Sequence, residues 1–200
     1  MKTIAWDVDD VLNDLMRVWF EQKWLVEHPE CMIRYEGITE NPPHRLLKSG
    51  IDEYLKSLDE FRLSALYQQM PPVKEVREWF AKHGHRFRHI ALTAAPLIAV
   101  SASAQWMFRN FGTWIRTFHF IPSERQGQDI PKYDRDKAAF LRWLEKADVL
   151  IDDNMANIND AEKIGVRGVL FPRPWNNSTK SIEQNEKSIT EALSNGVNNR

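Results

Sequence analysis

An α/β fold, with a parallel sheet flanked by helices and a strand-free helical stretch near its start, is what this sequence of 200 residues predicts. Three observations carry the prediction. From Val73 onward, short apolar runs alternate with stretches whose apolar residues recur at helical spacing, the pattern of a parallel sheet covered on both faces. Between Asn13 and Met70 no segment reads as a strand. Two apolar runs end in acidic residues, at Asp7-Val8-Asp9-Asp10 and at Asp152-Asp153, and it is at such strand ends that parallel sheets collect ligands.

Thr3 to Val8 is short and apolar or β-branched apart from Asp7, which suits a buried strand. Leu15 to Val26 carries Leu15, Val18, Trp19, Trp24 and Leu25 at helical spacing and stops at His28-Pro29. Gly37, Asn41-Pro42-Pro43 and Ser49-Gly50 interrupt the next stretch, after which Ile51 to Met70 reads as one or two short helices burying Leu55, Leu58, Phe61, Leu66 and Met70. Pro71-Pro72 marks a boundary, Val73 to His83 a helix closed by Gly84, and Phe87 to Thr93 a strand. A helix from Leu97 to Asn110 and a strand from Ile115 to Ile121 follow. Asp134 to Lys146 is predicted helical, Val149 to Ile151 a buried strand, Asn157 to Ile164 a helix and Val166 to Phe171 a last strand. From Asn176 on, Ile182, Ile189 and Leu193 make a weak helical stripe, and residues 195–200 are expected to fray.

Composition narrows the function classes. Apolar residues at 42% and charged residues at 28% support a packed core and exclude compositional disorder. A formal net charge of -1 offers no global attraction to a nucleic-acid polymer or an anionic membrane surface. The single cysteine, Cys31, excludes an intramolecular disulfide framework and a cysteine-based zinc cluster, and it fits a reducing compartment such as the cytoplasm. Met1 to Trp6 runs into acidic residues without the apolar region of a signal peptide, and no stretch has the length of a membrane span. The sequence is compatible with a homodimer without specifying one.

The strand ends carry the chemistry. Asp7 and Asp9 close the first strand, Thr93 a later one and Asp152-Asp153 another, while Lys137 opens the helix before the last of these. Clustered carboxylates raise one another's pKa unless a cation sits among them, and an all-oxygen donor set selects a hard ion such as Mg²⁺. Thr93 and Lys137 beside it would supply the hydrogen bonds and positive charge that a phosphoryl group requires. Two residues apart in an extended segment, Asp7 and Asp9 point to the same side and can divide the work of nucleophile and proton donor. Each residue also has a plainer reading. Asp7 and Asp9 could be solvated, Asp152-Asp153 and Thr93 could cap helices, and Lys137 competes with Lys132.

These motifs, in this order, resemble those of the haloacid dehalogenase superfamily, most of whose members are phosphatases and phosphotransferases. Ile4-Ala5-Trp6-Asp7-Val8-Asp9-Asp10-Val11-Leu12 resembles its first motif, Ala91-Leu92-Thr93 the second, Lys137 the third and Leu150-Ile151-Asp152-Asp153 the fourth. The resemblance runs from about residue 3 to about residue 175. It implies a Rossmann-like core of residues 1–12 and 71–200, with a small helical cap of residues 13–70 inserted after the first strand. Within the superfamily, Arg135-Asp136-Lys137, Ile151-Asp152-Asp153 and Leu170-Phe171 leading into Pro174-Trp175-Asn176 are most similar to the 5'(3')-deoxyribonucleotidases. Asp10 departs from the pattern, standing where many relatives have glycine.

The resemblance implies a Mg²⁺-dependent phosphomonoesterase, a 5'-nucleotidase acting on (deoxy)nucleoside monophosphates, with a deoxynucleoside monophosphate as the leading substrate. Asp7 would be the nucleophile and Asp9 the acid and base. The Asp7 carboxylate, the Asp9 carbonyl and Asp152 would hold Mg²⁺, with Asp153 orienting its neighbours or acting through water. Thr93, the Ala94 N–H and Lys137 would hold the phosphoryl oxygens. The alternatives are a phosphatase for a sugar phosphate or another small phosphomonoester, a receiver-type signalling domain and a catalytically silent binding protein. Receivers carry their acidic pair early and their lysine last, whereas here Asp152-Asp153 follows Lys137. Trp19 and Trp24 are read mainly as packing residues, with stacking on a nucleobase as the alternative, and Trp175 as a more exposed contact. The basic run His83, His85, Arg86, Arg88 and His89 reads as a helix end and a solvated strand edge.

Overall fold

The computed structural model describes residues 1–131, 133–176, 178, 184, 187 and 189–191. Five strands, β1 (Thr3–Trp6), β2 (Arg88–Ala95), β3 (Ile115–Pro122), β4 (Val149–Asp152) and β5 (Arg167–Leu170), lie parallel in the order β3-β2-β1-β4-β5. Ile4, Ala5 and Trp6 of the central strand pair with His89, Ile90 and Ala91 on one side and with Val149, Leu150 and Ile151 on the other. The chain builds outward from β1 through β2 to β3, then crosses back to lay β4 against the far edge of β1. The order therefore reverses between β1 and β4, and a crevice opens beyond the carboxyl ends of those two strands.

The period-two alternation of strand side chains divides the core into two layers. Ile4, Trp6, Ala91, Val149 and Ile151 pack on one face with the helices of the first third of the chain, whereas Ala5, Ile90, Leu92 and Leu150 pack on the other. Helices α1 (Leu15–Trp19) and α2 (Leu25–Glu27) are joined by a π-helical turn, Phe20–Trp24. A wide turn brings residues five apart to one side, so the Trp19 and Trp24 rings meet with centroids 5.4 Å apart. After an irregular stretch come α3 (Ile51–Arg62) and α4 (Ala65–Gln69). No strand occurs between β1 and β2 among the described residues. The chain leaves and returns side by side: Val73 N–H donates to the Leu12 carbonyl at 2.9 Å, and Asn13 bridges Pro72 in antiparallel fashion.

The remaining helices are α5 (Lys74–His83), α6 (Leu97–Phe111), α7 (Lys137–Leu144) and α8 (Met155–Lys163). Helix α7 starts three residues later than its sequence predicts, because the Asp136 side chain accepts from the Ala139 N–H and makes Asp136 the N-cap. Asn154 caps α8 through the Ala156 N–H, which starts that helix earlier than predicted. On α3 the buried face is Tyr54, Ser57, Leu58, Phe61 and Arg62; Leu55 is half-buried, and Leu66 in α4 is exposed. Gly84 ends α5 with a helical φ of -57° rather than a left-handed one. Glycine suits it because a Cβ there would lie 2.8 Å from the Trp114 ring. His89 is not solvated but buried on an interior strand, with its ring between the Trp6 indole and the Gly84 carbonyl. No helix among the described residues is long and apolar enough to cross a membrane. The expected terminal helix and frayed end lie largely outside the described residues.

Candidate active site

Asp7 follows β1, Asp152 is the last residue of β4, and Asp153 comes next, so three carboxylates meet at the reversal crevice. One oxygen from each lies within 4.8 Å of the others, a spacing a single cation can draw together. Lys137 opens α7 beneath them. Its Nζ lies 2.7 Å from Asp7 Oδ2 and 2.6 Å from Asp152 Oδ2. Asp7 is further held by the Val8 N–H at 2.8 Å, and Asp152 by the Asn154 N–H and the Asn157 amide. Asn154, not Asp152 or Asp153, caps α8, which removes the plainer reading of the acidic pair.

The charges do not balance. All four side chains are buried, and one ammonium faces three carboxylates. Burial pushes the Asp7 carboxyl well above the usual range, against the pull of Lys137, with Asp152 and Asp153 pushing the same way as burial. Asp153 is pushed up to about 8 by burial and by repulsion from Asp152 and Asp10. The Asp152 and Asp7 carboxylates outweigh burial at Lys137 and hold its pKa above the ordinary value. An all-carboxylate cluster with excess negative charge fits a hard divalent cation such as Mg²⁺.

Thr93 lies on β2 beside this cluster's strand. Its Oγ1 is buried with no hydrogen-bond partner among the described residues, and Pro96, not Thr93, stands at the N-cap of α6. A hydroxyl left so costs roughly 1–3 kcal/mol, which a ligand oxygen would recover. Ala94, the next residue, is exposed. Lys132 lies outside the described residues.

Asp9 is not one of the three clustered carboxylates. Its carboxylate accepts from Arg62 Nε at 3.3 Å and Nη2 at 3.1 Å, from the Tyr67 hydroxyl at 3.2 Å and from the Asn13 amide at 3.1 Å. Arg62 in turn pairs with Asp59, which Arg125 grips with two nitrogens at 2.7 and 2.9 Å. A chain of charges thus runs from the β1 loop through α3 to the segment after β3. Asp10 adopts the left-handed region with φ 61°, a conformation natural to glycine and tolerated by aspartate. Its carboxylate turns to the Met16 N–H at 2.9 Å and is not among the three clustered groups. Burial pushes Asp10 up to about 7 despite Arg173, which donates to the Asp10 and Asn13 carbonyls and pairs with Asp14.

Trp19 and Trp24, the stacking candidates, are both almost fully buried, Trp19 donating to Ser57 and Trp24 stacked on His28, which matches packing residues; the Trp24 ring edges a cleft with His28, Cys31 and Ile33. Trp175 is half-buried and donates to Asp153. Sequence reasoning missed Arg62, Tyr67, Asn157 and Arg173. For Arg62 a signal existed, since it falls four residues after Leu58 and next to Phe61, a charge placed inside an apolar helical stripe.

No protein-family model matches the chain, and no curated protein matches it by sequence. Solved structures do resemble it. A hydrolase from Streptococcus pneumoniae TIGR4 aligns over 95% of this chain and 100% of its own with a TM-score of 0.60 at 13% identity. A haloacid dehalogenase-like family hydrolase from Xanthomonas campestris aligns over 98% of this chain and 93% of its own, with a TM-score of 0.56 at 15% identity. A haloacid dehalogenase-like family protein from Streptococcus pneumoniae covers 96% and 98%, with a TM-score of 0.57 at 9% identity. The five-stranded parallel sheet and its flanking helices thus share the Rossmann-like fold of these solved hydrolases.

Proposed function

We propose that this protein is a Mg²⁺-dependent phosphomonoester hydrolase working through an aspartyl-phosphate at Asp7. The observation that carries the reading is the buried juxtaposition of Asp7, Asp152 and Asp153 with Lys137 at the crevice between β1 and β4. An Asp7 oxygen attacks phosphorus while the bond to the leaving alkoxide breaks, and Asp9 gives that alkoxide a proton. Water then attacks the phosphorus of the acyl phosphate, Asp9 takes its proton, and the bond to Asp7 breaks to release inorganic phosphate. Lys137 holds Asp7 oriented through both steps, and the free Thr93 hydroxyl with the Ala94 N–H supplies donors for the phosphoryl oxygens. Asp7, Asp152 and the Asp9 carbonyl, with Asp153 beside them, would hold the cation, whose bound charge offsets that on the phosphoryl group.

Residues 13–70 serve as the cap in this reading, delivering Arg62 and Tyr67 to Asp9, the group that must meet the leaving oxygen. The substrate class we favour is a nucleoside monophosphate, supported by the sequence likeness around Lys137, Asp152-Asp153 and Pro174-Trp175-Asn176. Phosphate release across deoxynucleotides, ribonucleotides, sugar phosphates and an aryl phosphate, with Mg²⁺ and with chelator, tests it. Metal-dependent turnover led by nucleoside monophosphates supports the full reading. Turnover confined to sugar phosphates removes the nucleotide class, and no turnover that responds to metal removes the enzyme.

A further inference from the structure

We infer that Trp175 is a positioning residue for the cation site, holding the Asp153 carboxylate in place through its indole N–H. The inference rests on the metal-dependent reading above and extends it to a residue outside the four motifs.

The three carboxylates are supported unequally. Asp7 has Lys137 and the Val8 N–H, and Asp152 has Lys137, the Asn154 N–H and the Asn157 amide. Asp153 is buried as they are, yet the side-chain donor to its carboxylate among the described residues is the Trp175 indole, 2.7 Å from Oδ2. An indole N–H donates and cannot accept, so it always favours an acceptor oxygen at that place. Without it, a buried carboxylate facing Asp7 and Asp152 would turn away from its like-charged neighbours.

The indole is itself held. Trp175 lies in a short 3₁₀ turn, Pro174–Asn176, just beyond β5. The Asn176 amide donates to the Asp153 carbonyl at 2.8 Å and to the Phe171 carbonyl at 2.6 Å, so neighbouring residues fix the main chain and the side chain of Asp153 together. Tyr35, from the helical segment before β2, packs edge-on against the Trp175 ring with centroids 6.3 Å apart. A cleft of about 360 Å³ lined by Asn41, Asp153, Asn154, Met155, Trp175 and Asn176 opens at this corner. Partners that orient metal-binding groups in this way typically change metal affinity about 10–100-fold when removed.

The test is Mg²⁺ affinity by calorimetry on the full chain, with Mn²⁺ as a second probe, for wild type, Trp175→Phe, Asp153→Ala and the double variant. Trp175→Phe keeps an aromatic ring against Tyr35 while removing the indole donor. We expect it to weaken Mg²⁺ about 10-fold or more in the wild-type background and to have little effect once Asp153 is gone, a coupling that a merely structural role would not produce. Equal affinity for wild type and Trp175→Phe, or equal losses in both backgrounds, overturns the inference and leaves the metal site standing. No Mg²⁺ or Mn²⁺ binding by wild type overturns the metal reading itself. If Trp175→Phe does not fold, the indole N–H signals of ¹⁵N-labelled wild type decide: one shifts with Mg²⁺ at the calorimetric Kd, or none does and the inference fails.

Discussion

Arg62 of helix α3 donates twice to the Asp9 carboxylate, at 3.1 and 3.3 Å, and the two side chains are almost completely enclosed. Fifty-three residues separate them in sequence. The contact ties the first strand's loop to the helical segment, with Tyr67 reaching the same carboxylate from α4.

Removing one partner of a buried pair strands the other, which costs about 3–5 kcal/mol. Arg62→Ala is therefore expected to lower stability by about 3 kcal/mol in urea unfolding, because it leaves Asp9 without a neighbour of opposite charge, whereas Asp59 keeps Arg125. In an Asp9→Asn background the same substitution is expected to cost clearly less. Equal losses in the two backgrounds would mean that the pair contributes nothing specific.

His89 gives the fold an acid-sensitive point away from the carboxylate cluster. Its Nδ1 accepts from the Trp6 indole at 3.0 Å, and its Nε2 lies 2.8 Å from the Gly84 carbonyl. Those partners are met by the neutral tautomer with the proton on Nε2; a second proton on Nδ1 would face the Trp6 N–H. Burial lowers the His89 pKa to about 4, against the Gly84 contact that raises it. The unfolded chain, titrating near 6.5, binds the proton first, so the contribution is complete above that pH and is lost as pH falls toward 4. About 2 kcal/mol is expected to be gone at pH 5. The difference in unfolding free energy between wild type and His89→Gln, followed from pH 8 to pH 4, measures it; a constant difference would contradict the assignment.

Asp153→Asn is expected to stabilise the metal-free protein while weakening its response to Mg²⁺. The amide keeps an acceptor for the Trp175 indole and removes a carboxyl that burial, with repulsion from Asp152 and Asp10, pushes up to about 8. In thermal unfolding with chelator near neutral pH, a gain on the order of 1 kcal/mol is expected, since a carboxyl that is harder to ionise in the folded than in the unfolded chain costs stability above its unfolded pKa. Mg²⁺ at a hundredfold excess over its Kd adds about 2.7 kcal/mol to any protein that binds it only when folded. Wild type is expected to show that gain and Asp153→Asn less of it at the same concentration. A variant that is less stable without metal would show that repulsion is not what the cluster stores.

The groups legible in the sequence are those that the sheet itself delivers. Asp7, Thr93 and Asp152 each stand at the end of an apolar run, so reading the strands was enough to bring them to one rim, and Lys137 followed from its place at a helix start. Local capping set the errors at helix ends: Asp136 and Asn154 move the starts of α7 and α8 because a side-chain oxygen takes a backbone N–H. Long-range pairs were out of reach. Periodicity says that Arg62 lies on a buried face, but not that Asp9 is the partner waiting there, and nothing in Arg173 announces its grip on the loop from Asp10 to Asp14. Trp19 and Trp24 meet only because the helix widens to a π turn, which an even helical period does not reveal.

The central claim is a covalent phosphoryl group on Asp7, and the most direct measurement is to quench turnover of a phosphomonoester in acid with Mg²⁺ present and locate the modification by peptide mass spectrometry. The account predicts a hydroxylamine-sensitive phosphoryl group on the peptide containing Asp7, absent from Asp7→Asn and from chelator-treated wild type. Turnover that persists in Asp7→Asn, or a phosphoryl group found on another residue, would contradict it.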